Sequence, residues 1–560
     1  MADPAPNHYR LSRRALLLGA GVGFAGLLAA CTGPDELVEP QPTRTSAQPT
    51  PTSRPAARDA TSTATIEPGR EDQQAGPTTP AGPDATPPDG ASQATVTSTR
   101  EPTEIEIDYV PVVSRRLQIR NISLDRLHAV WNGEVTDWAD LGEPGSHIIK
   151  RVTVEGSSGP LDPAKADLNI ASLDDLEEFL HFETGTIALL PKQRIDFKYR
   201  HLKVDDVDYL VSDGSGNPLR QKMIIDPRDS GLFDLSADQQ SLPQPVSMTW
   251  VGDIIFGRYV HAAMERVGDF SAPFRDVHHE LTWADLTIGN LECSISENIV
   301  PPVNRDTFSF STYPAAVEGL KLAQIDVLSR ANNHTMDFGI QGMNDTAAAL
   351  DAAGIKHFGI GENLDAARKA VVVELNGVSY AFIGYNGVTD HWDGAGPDWA
   401  GTMPMEPDYV IQDIERELAA GHVVIPYFHW GVEYVADPTE EQRYFAHLAI
   451  DHGAALVMGS HPHWVQAVET YQGKAIVYSL GNFIFDQAWS IETQQGMIAH
   501  VWMQGSQVLS IDLVPVFIEQ EHRPRIMDPW EANPVLNRIW QATDNILIHG
   551  QAARASSKLT

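Results

Sequence analysis

The sequence predicts an α/β fold, and three observations carry that prediction. From Val246 onward, short apolar runs alternate with polar loops and helix-forming segments. Five of those runs end on residues whose side chains can bind a metal, as expected of strand ends in an α/β sheet. A long stretch rich in Pro, Thr, Ser and Ala precedes them, so folding starts late in the chain. At roughly 150 residues per domain the 560 residues would give three or four units, fewer once that stretch is removed. A hydrophobic share of 42% is enough for real cores. Lys+Arg 40 against Asp+Glu 75 gives a net charge of −35, which excludes a nucleic-acid binder needing a basic face. Two cysteines, Cys31 and Cys293, are too few for a disulfide scaffold or a cysteine-rich zinc site.

Residues 1–31 read as an export signal. Arg13 and Arg14 precede an apolar run from Ala15 to Ala30, too short for a span of about 20 apolar residues. The ending Leu28-Ala29-Ala30-Cys31 resembles a bacterial lipobox, and the arginine pair resembles a twin-arginine signal. That resemblance implies lipidation of Cys31 and a lipid anchor on the extracytoplasmic face of the cell membrane. Residues 32–104 keep no apolar period and read as a disordered tether.

Ordered alternation returns at Ile105 and defines a first module over 105–240. Leu117 to Asn121 reads as a strand, and Ser123 as the N-cap of a helix through Leu124, Leu127 and Val130. Asn121 to Asp125, Val130 to Gly133 and Thr136 to Trp138 resemble one lobe of periplasmic phosphate-binding proteins. Ser157 and Ser158 resemble the loop that grips phosphate there, and Thr184 to Pro191 a later strand and turn. The likeness covers about half of a two-lobed protein. It implies a small α/β half-lobe that serves in docking or spacing and lacks a high-affinity phosphate site.

The second module, 245–520, carries the chemistry, and 521–560 reads as a C-terminal extension. Val246–Val251 leads into Asp253, Ala284–Ile288 into Glu292, and Ile325–Ser329 into Asn333 and His334. His422–Phe428 leads into His429, and Ala455–Met458 into His461 and His463. Helices are expected over Gly339–Ala353 and Thr439–His452, with strands over Ala370–Glu374 and Tyr380–Ile383. One Asp, one Glu, one Asn and three His make a mixed oxygen and imidazole set. Such a set suits one or two divalent ions, Mn, Fe or Zn, better than Ca or Mg. A bridging carboxylate with nitrogen ligands on both sides can hold two ions about 3.5–4 Å apart.

Six motifs then appear in order: Gly252-Asp253, Asn290-Leu291-Glu292, Asn332-Asn333-His334, His429-Trp430-Gly431, Gly459-Ser460-His461-Pro462-His463 and Gly481-Asn482. In these the chain resembles the CapA family of poly-γ-glutamate capsule-biosynthesis proteins, a branch of the calcineurin-like metallophosphoesterases. The resemblance implies a four-layer metallophosphoesterase-like sandwich, with two sheets between helices. It also implies that Asp253 and His463 hold one ion and that Asn333, His429 and His461 hold another. Glu292 would bridge them, and His334 would be a catalytic acid that protonates a leaving group. One position departs from the pattern: the superfamily's Asp-x-His has Ile255 as its third residue here. The Asp253 site therefore loses a nitrogen ligand, which puts ordinary phosphatase activity in doubt.

Other residues keep two readings. Arg258 faces an anionic substrate or pairs with a carboxylate. Asp337 and Glu433 orient metal-bound histidines from behind or form surface ion pairs. His278, His279, His357, His391, His422, His447 and His452 lack ligand-type company and read as structural, and Cys293 as a buried inert thiol. The expected function is a metal-dependent hydrolase acting on an anionic envelope polymer or phosphoester. The alternative is a capsule-polymer binding or export factor with a structural or vestigial metal site. The anchor gives the first test: Cys31→Ala should leave the protein soluble or as unprocessed precursor. Unchanged membrane fractionation and migration of that variant would refute lipidation.

Overall fold

The computed structural model describes residues 103–154, 159–212, 214–225 and 242–557. The export signal with Cys31, all but the last two residues of the tether, and the Ser157-Ser158 loop lie outside the described residues. Among the described residues, no helix is long and apolar enough to cross a membrane.

Two mixed sheets form the second module. The first runs in the order Lys356–Phe358, Val327–Ser329, Leu286–Leu291, Val246–Ile254, Gln495–Gln504, Gln507–Glu519, Arg523–Ile526. Its first four strands are parallel, and Asn482–Ile484 adds a parallel partner to Val246–Ile254. The second runs Val371–Leu375, Val378–Asn386, Val423–His429, Leu456–Ser460, Lys474–Val477, Val468–Tyr471. Its four central strands are parallel. Between the sheets lies an apolar core in which Met248, Trp250 and Ile288 meet Phe382, Ile425, Tyr427 and Met458. Trp250 stacks on Tyr427 with ring centroids 6.2 Å apart.

Helices cover both outer faces. Val260 and Met264 of Arg258–Val267, Leu320 of Val317–Leu322 and Leu350 of Gly339–Ala353 close the first sheet. Val410 and Ile414 of Pro407–Ala419, with Phe445, Ala446 and Ala449 of Glu440–Asp451, close the second. The layers are therefore helix, sheet, sheet, helix. Local signals explain the helix ends. Thr439 and Gln442 form a reciprocal capping box that starts Glu440–Asp451. Gly354, at φ +75°, ends Gly339–Ala353.

The first module is a six-stranded sheet in which Thr103–Val113 pairs antiparallel with Thr186–Pro191, Arg200–His201 and Arg220–Ile225. Its helix Leu124–Asn132 starts at Ser123, whose hydroxyl accepts the Arg126 N–H. The strand expected over Leu117–Asn121 shrinks to Asn121–Ile122. The buried Glu143 carboxylate accepts the backbone N–H groups of Gln118 and Ile119, at 2.6 and 2.9 Å. Those donors are no longer free for a ladder.

The two modules share buried surface. Trp502 and Leu509, from the long hairpin of the first large sheet, lie in the core of the first module. Asp512 on the same hairpin meets Arg120 at 2.7 Å and Arg200 at 2.9 Å. The segment after residue 520 is part of the body of the protein. Arg523–Ile526 is a strand of the first large sheet, and helix Pro529–Ser557 places Val535, Leu536, Ile539 and Trp540 in the inter-sheet core. Its apolar spacing is blurred by Pro529 and Pro534 at its start.

Removing one partner of a buried ion pair leaves the other charge uncompensated, typically at 3–5 kcal/mol. Asp512→Ala should therefore lower unfolding free energy by about 3 kcal/mol, read by urea denaturation. An unchanged midpoint would show that the two arginines do not depend on this carboxylate.

Candidate metal centre

Parallel strands of both sheets end on one common edge, and the candidate ligands sit there. Gly252 makes the first approach possible: a Cβ at that position would lie 1.9 Å from the Gly481 carbonyl oxygen. This close contact lets the Asp253 N–H donate to the same oxygen at 3.1 Å. Asp253 then stands in register between Asn290 and Asn482. The Asn290 side-chain amide donates to Asp253 Oδ1 at 2.9 Å and lies 3.3 Å from Glu292 Oε2. Asn332 donates to Asn290 Oδ1 at 3.0 Å and so fixes the orientation of that amide.

The second sheet supplies the imidazoles. His429 Nδ1 bonds Ser460 Oγ at 2.9 Å, and its Nε2 bonds Asn333 Oδ1 at 2.6 Å. His429 Nε2 is 3.6 Å from Glu292 Oε1, and His463 Nδ1 is 3.4 Å from Asp253 Oδ2. His461 lies between, its ring centroid 4.8 Å from that of His429 and 5.8 Å from that of His463. Asp253, Glu292, Asn333, His429, His461 and His463 thus form one continuous cluster. His461 and His463 have φ of +96° and +57°, a backbone region that costs a non-glycine residue about 1–3 kcal/mol. The turn they share is held open at that expense.

Three buried atoms test whether the cluster suits a cation. Asp253 Oδ2, Glu292 Oε1 and His461 Nδ1 have no hydrogen-bond partner. Buried polar atoms are normally satisfied; all three can accept or ligate, and Glu292 Oε1 and Asp253 Oδ2 face imidazoles of the cluster. Glu292, His429 and His461 each offer a ligand atom within 4.8 Å of the others, and so do Glu433, His461 and His463. Oxygen and imidazole donors together fit a divalent ion of the Mn, Fe or Zn type. Electrostatics agree. Burial, and then the neighbouring Asp253 carboxylate, raise Glu292 well above the usual carboxyl range. Burial and the surrounding imidazoles lower His429 and His461 well below the usual histidine range. A bound cation favours the ionised carboxylate and the neutral imidazoles, the forms that ligate.

The remaining candidates fall into place differently. Ile255 is fully buried in the apolar layer beneath the outer helices, far from any ligating role. Arg258 is buried too, and its guanidinium is bonded to Asp486 and to the carbonyls of Arg305 and Thr307. The substrate-facing reading of Arg258 is therefore corrected: its donors are committed to buried partners. Asp337 bonds His334 Nδ1 at 3.1 Å and accepts the Phe310 N–H at 2.7 Å. It orients His334 and no member of the ligand cluster. Glu433 is exposed and stands beside two of the histidines. Cys293 is a buried free thiol whose pKa burial pushes up to about 12. Sequence reasoning passed over Asn290, Ser460 and Asn482, the last bonded to His463 Nδ1 at 2.8 Å. Asn290 and Ser460 lie within one or two residues of a candidate ligand, whereas Asn482 is 19 residues from His463 and stands in a motif with no ligand of its own.

Known proteins show the same stretch of chain. The model of the family described as bacterial capsule synthesis protein PGA_cap matches residues 247–487, which contain the whole cluster. The PGA biosynthesis protein CapA of Bacillus subtilis (strain 168) is 32% identical over 276 residues, covering 49% of this chain and 72% of that protein. This chain belongs to the PGA_cap family. Another PGA_cap relative, the capsule biosynthesis protein CapA of Bacillus anthracis, is 29% identical over 306 residues, covering 54% of this chain and 74% of that protein. Among solved structures, the NAD nucleotidase of Haemophilus influenzae shares 12% identity, with a TM-score of 0.32 over 56% of this chain and 68% of its own. An ABC-type phosphate transport receptor from Vibrio cholerae shares 16%, with a TM-score of 0.20 over 26% and 65%.

The raised Glu292 pKa has a definite sign in the metal-free protein. Between its ordinary and its raised value, the folded chain holds a proton that the unfolded chain has lost, so stability falls as pH rises. Below about pH 4 both states carry the proton and the penalty disappears. Glu292→Gln should therefore stabilise the metal-free protein near neutral pH and have little effect at about pH 4. Thermal unfolding in chelator at the two pH values checks this, and equal shifts at both would contradict it.

Proposed function

We propose that this PGA_cap protein is a metal-dependent hydrolase of the cell envelope, serving synthesis of a capsule polymer of the poly-γ-glutamate type. Its substrate would be an anionic envelope polymer or a phosphoester. The observation that carries the reading is the set of unpartnered, buried ligand atoms beside an oriented histidine. Asp253, Glu292, Asn333, His429, His461 and His463 would hold one or two divalent ions. Bound there, the ions supply Lewis acidity and lower the pKa of a water molecule. They also reverse the local sign of charge, so that a chain of net charge −35 can present a cationic centre to an anionic substrate.

The protein's own part is proton delivery and orientation. Asp337 engages His334 Nδ1, and Phe310 packs against the imidazole with ring centroids 4.4 Å apart. These contacts leave Nε2 pointing at the cluster, 3.9 Å from Glu292 Oε1. From that atom a protonated ring could give its proton to a leaving oxygen or nitrogen, with Asp337 holding the ring's orientation. Lipidated at Cys31 and carried on the 32–104 tether, this head would work on the outer face of the membrane.

Metal content and hydrolysis should fall together. His429→Ala should remove most bound metal, because His429 touches both Asn333 and Glu292. Asp253→Ala should remove less. Elemental analysis gives the metal, and release from a phosphodiester and from poly-γ-glutamate gives the activity. Equal metal in native and His429→Ala protein would refute the site. Full metal with no hydrolysis of either substrate would favour the export factor.

A further inference from the structure

We infer that Glu433 is a metal ligand that takes over from the nitrogen donor missing at Ile255. The inference rests on the metal reading above and deepens it, since it completes the ion site that Asp253 and His463 begin. Three observations place the carboxylate. Glu433 offers an oxygen within 4.8 Å of ligand atoms on His461 and His463. His463 Nδ1 in turn lies 3.4 Å from Asp253 Oδ2. Asp253 Oδ2 and His461 Nδ1 are buried and have no hydrogen-bond partner. Glu433 and the two imidazoles therefore form one ligand group, and His463 links that group to Asp253. Ion pairing alone does not satisfy these atoms: Asp253 Oδ2 has only the 3.4 Å approach of a His463 Nδ1 that bonds Asn482 Oδ1 at 2.8 Å, and His461 Nδ1 has no hydrogen-bond partner.

The loop bearing Glu433 is built to hold it there. Gly431, at φ +89°, turns the chain after His429, and a Cβ at that position would meet the Gln442 side chain at 2.5 Å. The Tyr434 N–H donates to the carbonyl of Pro462 at 2.8 Å, between the two histidines. The Val435 carbonyl accepts from the Gln466 side-chain amide at 2.9 Å. Gln487 donates to the Tyr434 hydroxyl at 3.2 Å. Backbone on the C-terminal side of Glu433 is thus tied to the His461-Pro462-His463 turn itself. An exposed glutamate ordinarily samples many rotamers, but its backbone here is anchored to the residues it would ligate with.

The substitution changes the chemistry of the site as well as its count. Replacing an imidazole with a carboxylate gives a harder and more anionic donor set, which suits Mn2+ or Fe2+. Ile255 is then no sign of decay. The donor has moved from the strand bearing Asp253 to the loop after His429, on the other sheet.

The test is Mn2+ uptake by the full chain. Equilibrium dialysis with elemental analysis counts the ions, and electron paramagnetic resonance reports whether two Mn2+ are magnetically coupled. Outer-shell partners already contribute roughly 10–100-fold to metal affinity, so losing a direct ligand should weaken one ion by about 100-fold. Native protein is expected to bind two coupled ions, Glu433→Gln one tight uncoupled ion, and Glu433→Asp an intermediate amount. Glu433→Gln binding two coupled ions with native affinity would overturn the inference and leave the proposed function standing. One ion in native protein would also overturn it, because no second site would exist for Glu433 to complete. No ion in native protein would overturn both readings. Glu433 is exposed, so the thermal unfolding of the variant in chelator should match native protein and exclude misfolding as the cause.

Discussion

Asp253 and Glu292 are fully buried carboxylates brought side by side by adjacent parallel strands, and a single amide, that of Asn290, reaches both. Two carboxylates side by side in a dry site resist joint ionisation, and one hydrogen-bond donor is far short of the several lone pairs they present. Among the described residues, no lysine or arginine side chain forms an ion pair with either carboxylate. The buried Arg258 is spent on Asp486, and the buried Arg330 donates to the Met343 carbonyl on the helix side. The basic groups that approach them are the imidazoles of His334, His429, His461 and His463, and burial lowers His429 and His461 well below the usual histidine range. The site is thus a charge deficit of the kind that the proposed divalent cation would fill. Much of the surrounding architecture holds that deficit open: the Gly252 contact, the left-handed backbone at His461 and His463, and the Asn332–Asn290 bond.

Strand ends were legible because each pairs an apolar run with a polar residue that has no structural reason to follow it. Gly339–Ala353 and the Thr439 cap were legible for similar local reasons: a glycine boundary and a Thr-x-x-Gln signal. The sequence was opaque where a tertiary partner decides the outcome. Gln118 and Ile119 have ordinary strand character, and only the distant Glu143 removes their donors from the ladder. The strand Arg523–Ile526 and the helix after it looked like an appendage, since their apolar residues show no clean period until the inter-sheet core is seen beneath them.

The ligand cluster was legible as a set of residues, but the reach of each was not. Arg258 and Asp337 are adjacent in kind, polar residues just past a motif, yet one turns into the core and the other toward His334. Spacing along the chain cannot separate these cases, because side-chain direction depends on the φ of a single residue. Arg258 itself has φ +49°. Glu433 shows the converse. Its sequence position four residues after His429 fits support from behind and a surface ion pair equally, whereas the turn at Gly431 brings it beside two histidines.

Because the candidate ligands come from two sheets, the geometry of the cluster is only as fixed as the contact between them. Trp250 precedes Asp253 by three residues, and Tyr427 precedes His429 by two; these are the two rings that stack across the inter-sheet core. Each strand therefore carries a large ring that keys it to the other sheet immediately before it delivers a candidate ligand. Interiors are close-packed, so such rings have few alternative positions, and a slip of one sheet against the other would open voids along the whole interface. A metal centre tolerates displacements of only a few tenths of an ångström in its ligand distances. The aromatic contact supplies that tolerance from the apolar side, while the Asn290 and Ser460 hydrogen bonds supply it from the polar side. The helix Pro529–Ser557 adds Leu536, Ile539 and Trp540 to this same core, and the first module adds Phe197. Segments far from the centre in sequence are in this way part of what holds its ligands in register.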